Sequence, residues 1–178
     1  DKPFLASVTF SNLAKEGEKN SKIYFRVAEI DYDKYKKFRR KYYGDDLIRE
    51  LLNISKTLND LSFSLADEGD FNAHTCEVKL PQQKAGLYVV FASTSPDFTI
   101  AGNAVCYSIT TFSDLAFSSR EEEKANRNFL VVSRSNGKPL QGVKAQLWEE
   151  YYNYTTRDYD TRKSGVYTSD EHGMFTVK

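Results

Sequence analysis

Two cysteines, two histidines and twelve tyrosines are the side chains of this 178-residue sequence with the most chemistry to offer. Their spacing limits what they can do. A disulfide between Cys76 and Cys106 needs Cβ atoms within about 4.5 Å that point together. Cys76 alternates with Val78 and Leu80 on an inward face, whereas Cys106 falls opposite to Val105, Tyr107 and Ile109, so free thiols are expected. His74 and His172 have no second ligand at metal spacing, and no Gly-x-Ser-x-Gly elbow is present. A Ser-His-acid set drawn from distant positions would leave no local signature, and ordinary strand and turn histidines are the expectation. No catalytic residue, cofactor or metal site is therefore assigned.

The carboxylate pairs also have structural readings. Glu149 and Glu150 are adjacent, and adjacent side chains on a strand point to opposite faces. Asp45 and Asp46 stand where a helix begins, with Asp45 read as its N-cap, and negative charge there is favoured by the helix dipole. Asp158 and Asp160 share a face if extended, but no EF-hand-like loop surrounds them. The cations of residues 34–41 are interleaved with Tyr35 and Phe38, followed by Tyr42 and Tyr43. A polyanion site would use such a run, but on a helix the aromatics turn inward and the cations form a solvated face. The richest recognition candidate is the segment 148–159, with Trp148, Tyr151, Tyr152, Tyr154 and Tyr159. Tyrosine offers large contact area at small cost in rotamer entropy, which suits protein or glycan binding. The competing reading is an irregular hairpin that packs on a neighbouring module.

Positioning these groups falls mostly to β-strands. Residues 4–10, 22–30, 58–65, 74–80, 86–92 and 104–112 read as strands, with Ile23, Phe25 and Val27 on one face of the second. A turn is expected at 15–21, around Gly17 and Asn20. Pro81 and Gly86 bracket what reads as a hairpin turn. Tyr35, Phe38 and Tyr42, then Leu47, Ile48, Leu51 and Leu52, have helical spacing, so a short helical insertion is expected at 32–54. Residues 118–127 are polar and charged and read as a joint. Four strands follow, at 129–134, 143–149, 165–169 and 174–177. A complete immunoglobulin-like sandwich wants roughly seven. The expected fold is therefore all-β, with two immunoglobulin-like sandwich modules. The first spans 1–117 and carries the helical insertion. The second spans 118–178 and is either incomplete or unusually small.

Composition agrees with that class. Aromatics make up 14% of the chain, nearly all Tyr and Phe, which suit pleated half-buried surfaces. Lys and Arg total 25, as do Asp and Glu, so there is no net attraction to nucleic acid or an anionic membrane, and nucleic acid is not an expected partner. No apolar run approaches the ~18 residues that span a bilayer. The chain opens at Asp1 without Met and closes on residues that still read as strand. A fragment of a larger protein is the expectation.

Two stretches carry a resemblance. Arg134-Ser-Asn-Gly-Lys-Pro-Leu-Gln-Gly-Val143, followed by Ser169-Asp-Glu-His-Gly-Met-Phe175, resembles a pattern frequent in bacterial macroglobulin-like domains. Upstream, Ile23-Tyr-Phe-Arg-Val27, Lys79-Leu-Pro81, Gly86-Leu-Tyr-Val-Val90 and Ser113-Asp-Leu115 occur in the order seen in N-terminal regions of alpha-2-macroglobulin-like proteins of Bacteroides-type bacteria. Asn136 and Ser169 stand where Thr is more usual. The resemblance implies macroglobulin-like β-sandwich domains of a large exported protein, periplasmic or attached to the cell envelope, that entraps proteases. It implies neighbouring domains of the same polypeptide as partners, and proteases only through the full-length protein. The family's thioester motif, Cys-x-x-Gln, is missing: Cys76 is followed by Glu-Val-Lys and Cys106 by Tyr-Ser-Ile. On this reading the segment is non-catalytic scaffold. The alternative is a glycan-binding or adhesive sandwich of a cell-surface protein.

Overall fold

The computed structural model describes residues 4–13, 20–66, 70–122 and 126–178. Most of the expected turn at 15–21 lies outside them. Alternation produces the strands β1 (Phe4–Phe10), β2 (Asn20–Glu29), β3 (Lys56–Ala66), β4 (His74–Leu80), β5 (Gly86–Ser93) and β6 (Val105–Phe112). Between β2 and β3 stand two helices, α1 (Tyr32–Lys41) and α2 (Gly44–Ile54). Asp31 caps α1 by accepting from the Lys34 amide at 2.9 Å. The cap of α2 is Tyr43, not Asp45. Gly44 takes a positive φ of 54° there, so the helix starts one residue before the aspartates, and Asp45 and Asp46 occupy its first turn.

Residues 1–112 form one compact unit. Its four-stranded sheet has the order β3-β2-β5-β6, and a separate pair joins β1 to β4. The residues expected on one face of β2, Ile23, Phe25 and Val27, meet Val78 and Leu80 of β4 and Tyr88 and Val90 of β5. That is the core between the two sheets. The opposite face of the large sheet carries Val89 and Phe91, which pack with Leu47, Ile48 and Leu51 of α2 and with Phe98. Tyr35, Phe38 and Tyr42 are half-buried against this second core. The helical insertion is thus a structural layer. It explains why six consecutive residues of β5, Tyr88 to Ser93, are buried: both faces of that strand are covered.

One expected pairing is different. Pro81 and Gly86 do not close a hairpin, because β4 pairs with β1 and β5 pairs with β2 and β6. The connection crosses between the sheets. Proline and glycine direct a chain to turn, but which strand it then meets depends on where each apolar face is buried.

The second unit covers residues 113–178, so the division lies ahead of the expected boundary at 117/118. It contains β7 (Leu115–Glu121), β8 (Arg127–Ser133), β9 (Lys144–Asn153), β10 (Asp158–Thr168) and β11 (Met174–Val177). The order β11-β8-β7 forms one sheet and β9-β10 a hairpin. The polar run read as a joint therefore contains the end of β7, an edge strand. Charged side chains are how exposed edges avoid pairing with other chains, and Arg120 and Glu121 give β7 a linker's composition. An aromatic series, Tyr167 on Phe175 and Phe175 on Phe129, with centroids 5.8 and 4.9 Å apart, packs β10 on the three-stranded sheet.

Candidate interaction site

Two strands and a four-residue turn position the tyrosine-rich segment. The expected irregular hairpin runs antiparallel from Lys144 to Thr168, with one register irregularity, between Lys163 and Gly165. Alternation divides its side chains. Trp148 lies opposite Lys163, Glu150 opposite Thr161 and Tyr152 opposite Tyr159, so these six share one face. Tyr151 lies on the other face, opposite Asp160. There Arg162 donates to Glu149 at 2.8 Å and stacks over the Tyr151 ring at 5.3 Å. The five residues singled out from sequence are therefore not one surface: four are brought together and Tyr151 is separated from them.

On the shared face Tyr152 makes edge-on contacts with Tyr154 at 5.1 Å and with Tyr159 at 5.3 Å. Lys163 sits 5.5 Å over the Trp148 ring. Exposure remains high: 49% for Trp148, 40% for Tyr152, 86% for Tyr154, 57% for Tyr159 and 63% for Val166. Val166 and Lys163 were missed in the sequence. Counting alternate positions back from the turn would have found Lys163, but the irregularity at 163–165 hides Val166. Edge-to-face packing holds Tyr152 between two rings, so the patch is a preformed aromatic surface with amide, hydroxyl and ammonium groups around it. Such a surface can stack on planar or apolar groups and hydrogen-bond at its rim.

The other candidates lie outside this hairpin face. Both cysteines are free, and apolar surroundings push the Cys106 thiol above its ordinary value. Among the described residues, no group of three or more His, Cys, Asp or Glu side chains is placed to hold a metal. His74 meets Asp70 at 2.8 Å. Asp70 also accepts from the side chain and amide of Asn72, and these contacts hold its carboxyl down at about 2. Asp158 and Asp160 each accept from the amide of the next residue. The cations of α1 line a helix with no buried residue, the solvated face expected.

The resemblance-bearing motif forms a hydrogen-bonded knot. The buried Ser169 hydroxyl donates to the Leu140 carbonyl at 2.6 Å and accepts from the Val143 amide at 3.0 Å. The Val131 amide donates to the Gly173 carbonyl at 2.8 Å, and the Leu140 amide to the Val131 carbonyl at 3.0 Å. Gly173 has a φ of 74°, and a Cβ there would come within 2.5 Å of the Val131 oxygen. Only glycine fits. Gly137 also has positive φ, and Pro139 bridges to Val132. Turn chemistry at 134–143 and 169–175 is therefore one device that ties the β8–β9 connection to the β10–β11 turn.

Comparison with solved structures gives the same architecture. The chain superimposes on a fragment of native alpha-2-macroglobulin from Escherichia coli spanning domains MG0-NIE-MG1, with a TM-score of 0.62 and 15% identity. The match covers 96% of this chain and 50% of that one. The chain thus spans half the length of the solved fragment. The whole E. coli protein in its native conformation also matches, at 15% identity and a TM-score of 0.49, over 97% of this chain and 10% of that one. No family model and no curated protein matches the sequence. The likeness is one of fold: this chain has the β-sandwich architecture of bacterial macroglobulin domains. Among the described residues no helix is long and apolar enough to cross a membrane.

Proposed function

We propose that the chain is a non-catalytic structural and interaction segment of an exported, macroglobulin-like protease inhibitor of Bacteroides-type affinity, in which protease entrapment belongs to the full-length protein. The observation that carries this reading is the match over 96% of this chain to a fragment of a bacterial alpha-2-macroglobulin. The Gly-Lys-Pro and Asp-x-x-Gly turns support it, since each of their special residues has a backbone task in the knot described above. The proposed mechanism is mechanical: sandwich modules space and orient distant capture segments. Neighbouring domains of the same polypeptide are its partners, in the periplasm or at the cell envelope. The second module is proposed to be incomplete, because Val131 is its one buried large apolar residue among those described. The test is to incubate the isolated chain and its intact parent with a panel of endoproteases. The parent is expected to entrap protease, and the isolated chain neither to inhibit nor to form a denaturation-resistant adduct. An adduct with the isolated chain would overturn the reading.

A second reading has one specific observation in its favour, the exposed aromatic face of Trp148, Tyr152, Tyr154 and Tyr159. It makes the module a glycan-binding or adhesive sandwich. Array binding lost in a Trp148→Ala, Tyr152→Ala double variant would favour it, and a blank array would remove it.

A further inference from the structure

In the first unit two strands are laid over four, and the mismatch has a side. β1 pairs with β4 along its whole length and has no other partner among the described strands. Of its inward-facing residues Phe10 is buried but Phe4, Ala6 and Val8 are only half-buried, although Val78 and Leu80 opposite Ala6 and Phe4 are buried. Beyond β1 the inner face of β6 is covered at one end, where Phe112 meets Phe4, but among the described residues Cys106 and Ser108 are exposed although they face the sandwich interior. A cleft of about 380 Å³ runs here, walled by Phe4, Ala6 and Val8 and floored by Val90, Cys106 and Ser108. It continues past Val8 and Cys106 into a wider opening of about 600 Å³ at the end of the sandwich.

Charge separates this flank from the other edges except β11, Met-Phe-Thr-Val, which also carries none. β3 carries Lys56 and Asp60, β4 carries Glu77 and Lys79, and β7 carries Arg120 and Glu121. β1, Phe-Leu-Ala-Ser-Val-Thr-Phe, and β6, Val-Cys-Tyr-Ser-Ile-Thr-Thr-Phe, carry none. Charged side chains on an exposed edge prevent unwanted pairing. An edge without them, beside an open apolar cleft, suits a site where pairing is wanted.

We propose that this flank receives one further β-strand, a segment of the same parent polypeptide outside these 178 residues, hydrogen-bonded to the free edge of β1 and lying over β6. Three features set the occupant's chemistry. An unpaired backbone edge is complementary to another extended backbone. The lining by residues 4–9 of β1 and 106–110 of β6 gives room for about six residues at ~3.3 Å each. The apolar walls take uncharged side chains at alternate positions. A third strand would bring the sandwich to the roughly seven strands of its class. The solved fragment that this chain matches is twice as long as the matched part, so proteins of this architecture have further polypeptide to supply such a strand. The proposal rests on the reading of the chain as part of a longer macroglobulin-like polypeptide, but not on protease inhibition by that polypeptide.

Cys106 reports occupancy. The test chain carries, before Asp1, an alternating Val/Thr strand matched to the seven residues of β1, joined by a linker of about ten Gly and Ser residues that reaches ~17 Å. Thiol labelling by a disulfide reagent is followed in a Cys76→Ser background, and in the unsubstituted chain by mass spectrometry of the Cys106 peptide. Labelling of Cys106 is expected to slow at least about tenfold, with a rise in Tm. A control strand with a central proline is expected to do neither, since proline cannot donate to the ladder. Unchanged labelling, or equal protection by the proline control, would overturn the proposal. So would sedimentation showing that the unextended chain protects Cys106 by dimerising, which would assign the flank to a second copy.

Discussion

Ser169 is a short side chain on which two loops depend. Its hydroxyl satisfies the Leu140 carbonyl and the Val143 amide, and a buried polar group left without a partner costs about 1–3 kcal/mol. Ser169→Ala is expected to destabilise the second unit by that amount, read as a shift in its denaturant midpoint. Asp97 makes a different prediction. It accepts from the Ser95 hydroxyl at 2.5 Å, from the Thr99 hydroxyl at 2.6 Å and from the Thr99 amide at 3.1 Å. These bonds, that of Ser95 foremost, hold its carboxyl at about 2 against an ordinary 3.8. A folded-state value below the unfolded one means the stabilisation is complete above about 3.8 and fades as pH falls toward 2. Melting wild type and Asp97→Asn from about pH 5 downward should therefore show a gap that closes in acid. A gap constant with pH would remove Asp97 from the account. The sequence offered little warning of this loop. Phe98 is buried with a φ of 60° and lies under the Arg26 guanidinium at 4.4 Å, while Arg26 forms a fork with Asp60, and those partners are distant in the chain.

At the scale of elements, α2 is the better anchored of the two helices, with three buried residues against none in α1. Leu51 is fully buried, and truncating such a leucine costs about 2–5 kcal/mol. Leu51→Ala is expected to lower the stability of the first unit by that amount in chemical denaturation. A change below about 1 kcal/mol would mean that the helices decorate the sheet without completing its core. The hairpin β9–β10 behaves oppositely. Its Trp148 face is largely exposed, so Trp148→Ala should leave the Tm within about 2 °C of wild type while changing whatever binds there. Helical spacing at 35–42 and 47–52 made both helices legible. The hairpin was harder, since Tyr, Asn, Thr and Asp are as common in loops as on a solvated strand, and only cross-strand pairing distinguishes the two.

For the whole molecule, positive and negative charges balance at 25 each, and the cations of α1 are offset elsewhere in the chain. With a Debye length of ~8 Å at physiological salt, the chain is expected to pass unretained through phosphocellulose, and retention would reopen the polyanion reading of residues 34–41. The sequence by itself determined the β class, the position of both helices and the turns at Gly137 and Gly173, because alternation, helical spacing and positive φ are written locally. Tertiary structure alone decided that β4 joins β1 instead of β5, that residues 118–121 belong to an edge strand, and that Trp148 shares a face with Tyr152 and Tyr159 but not with Tyr151. A period of two says which side chains lie together on one strand. Which strand lies beside it is settled by burial among residues far apart in the chain.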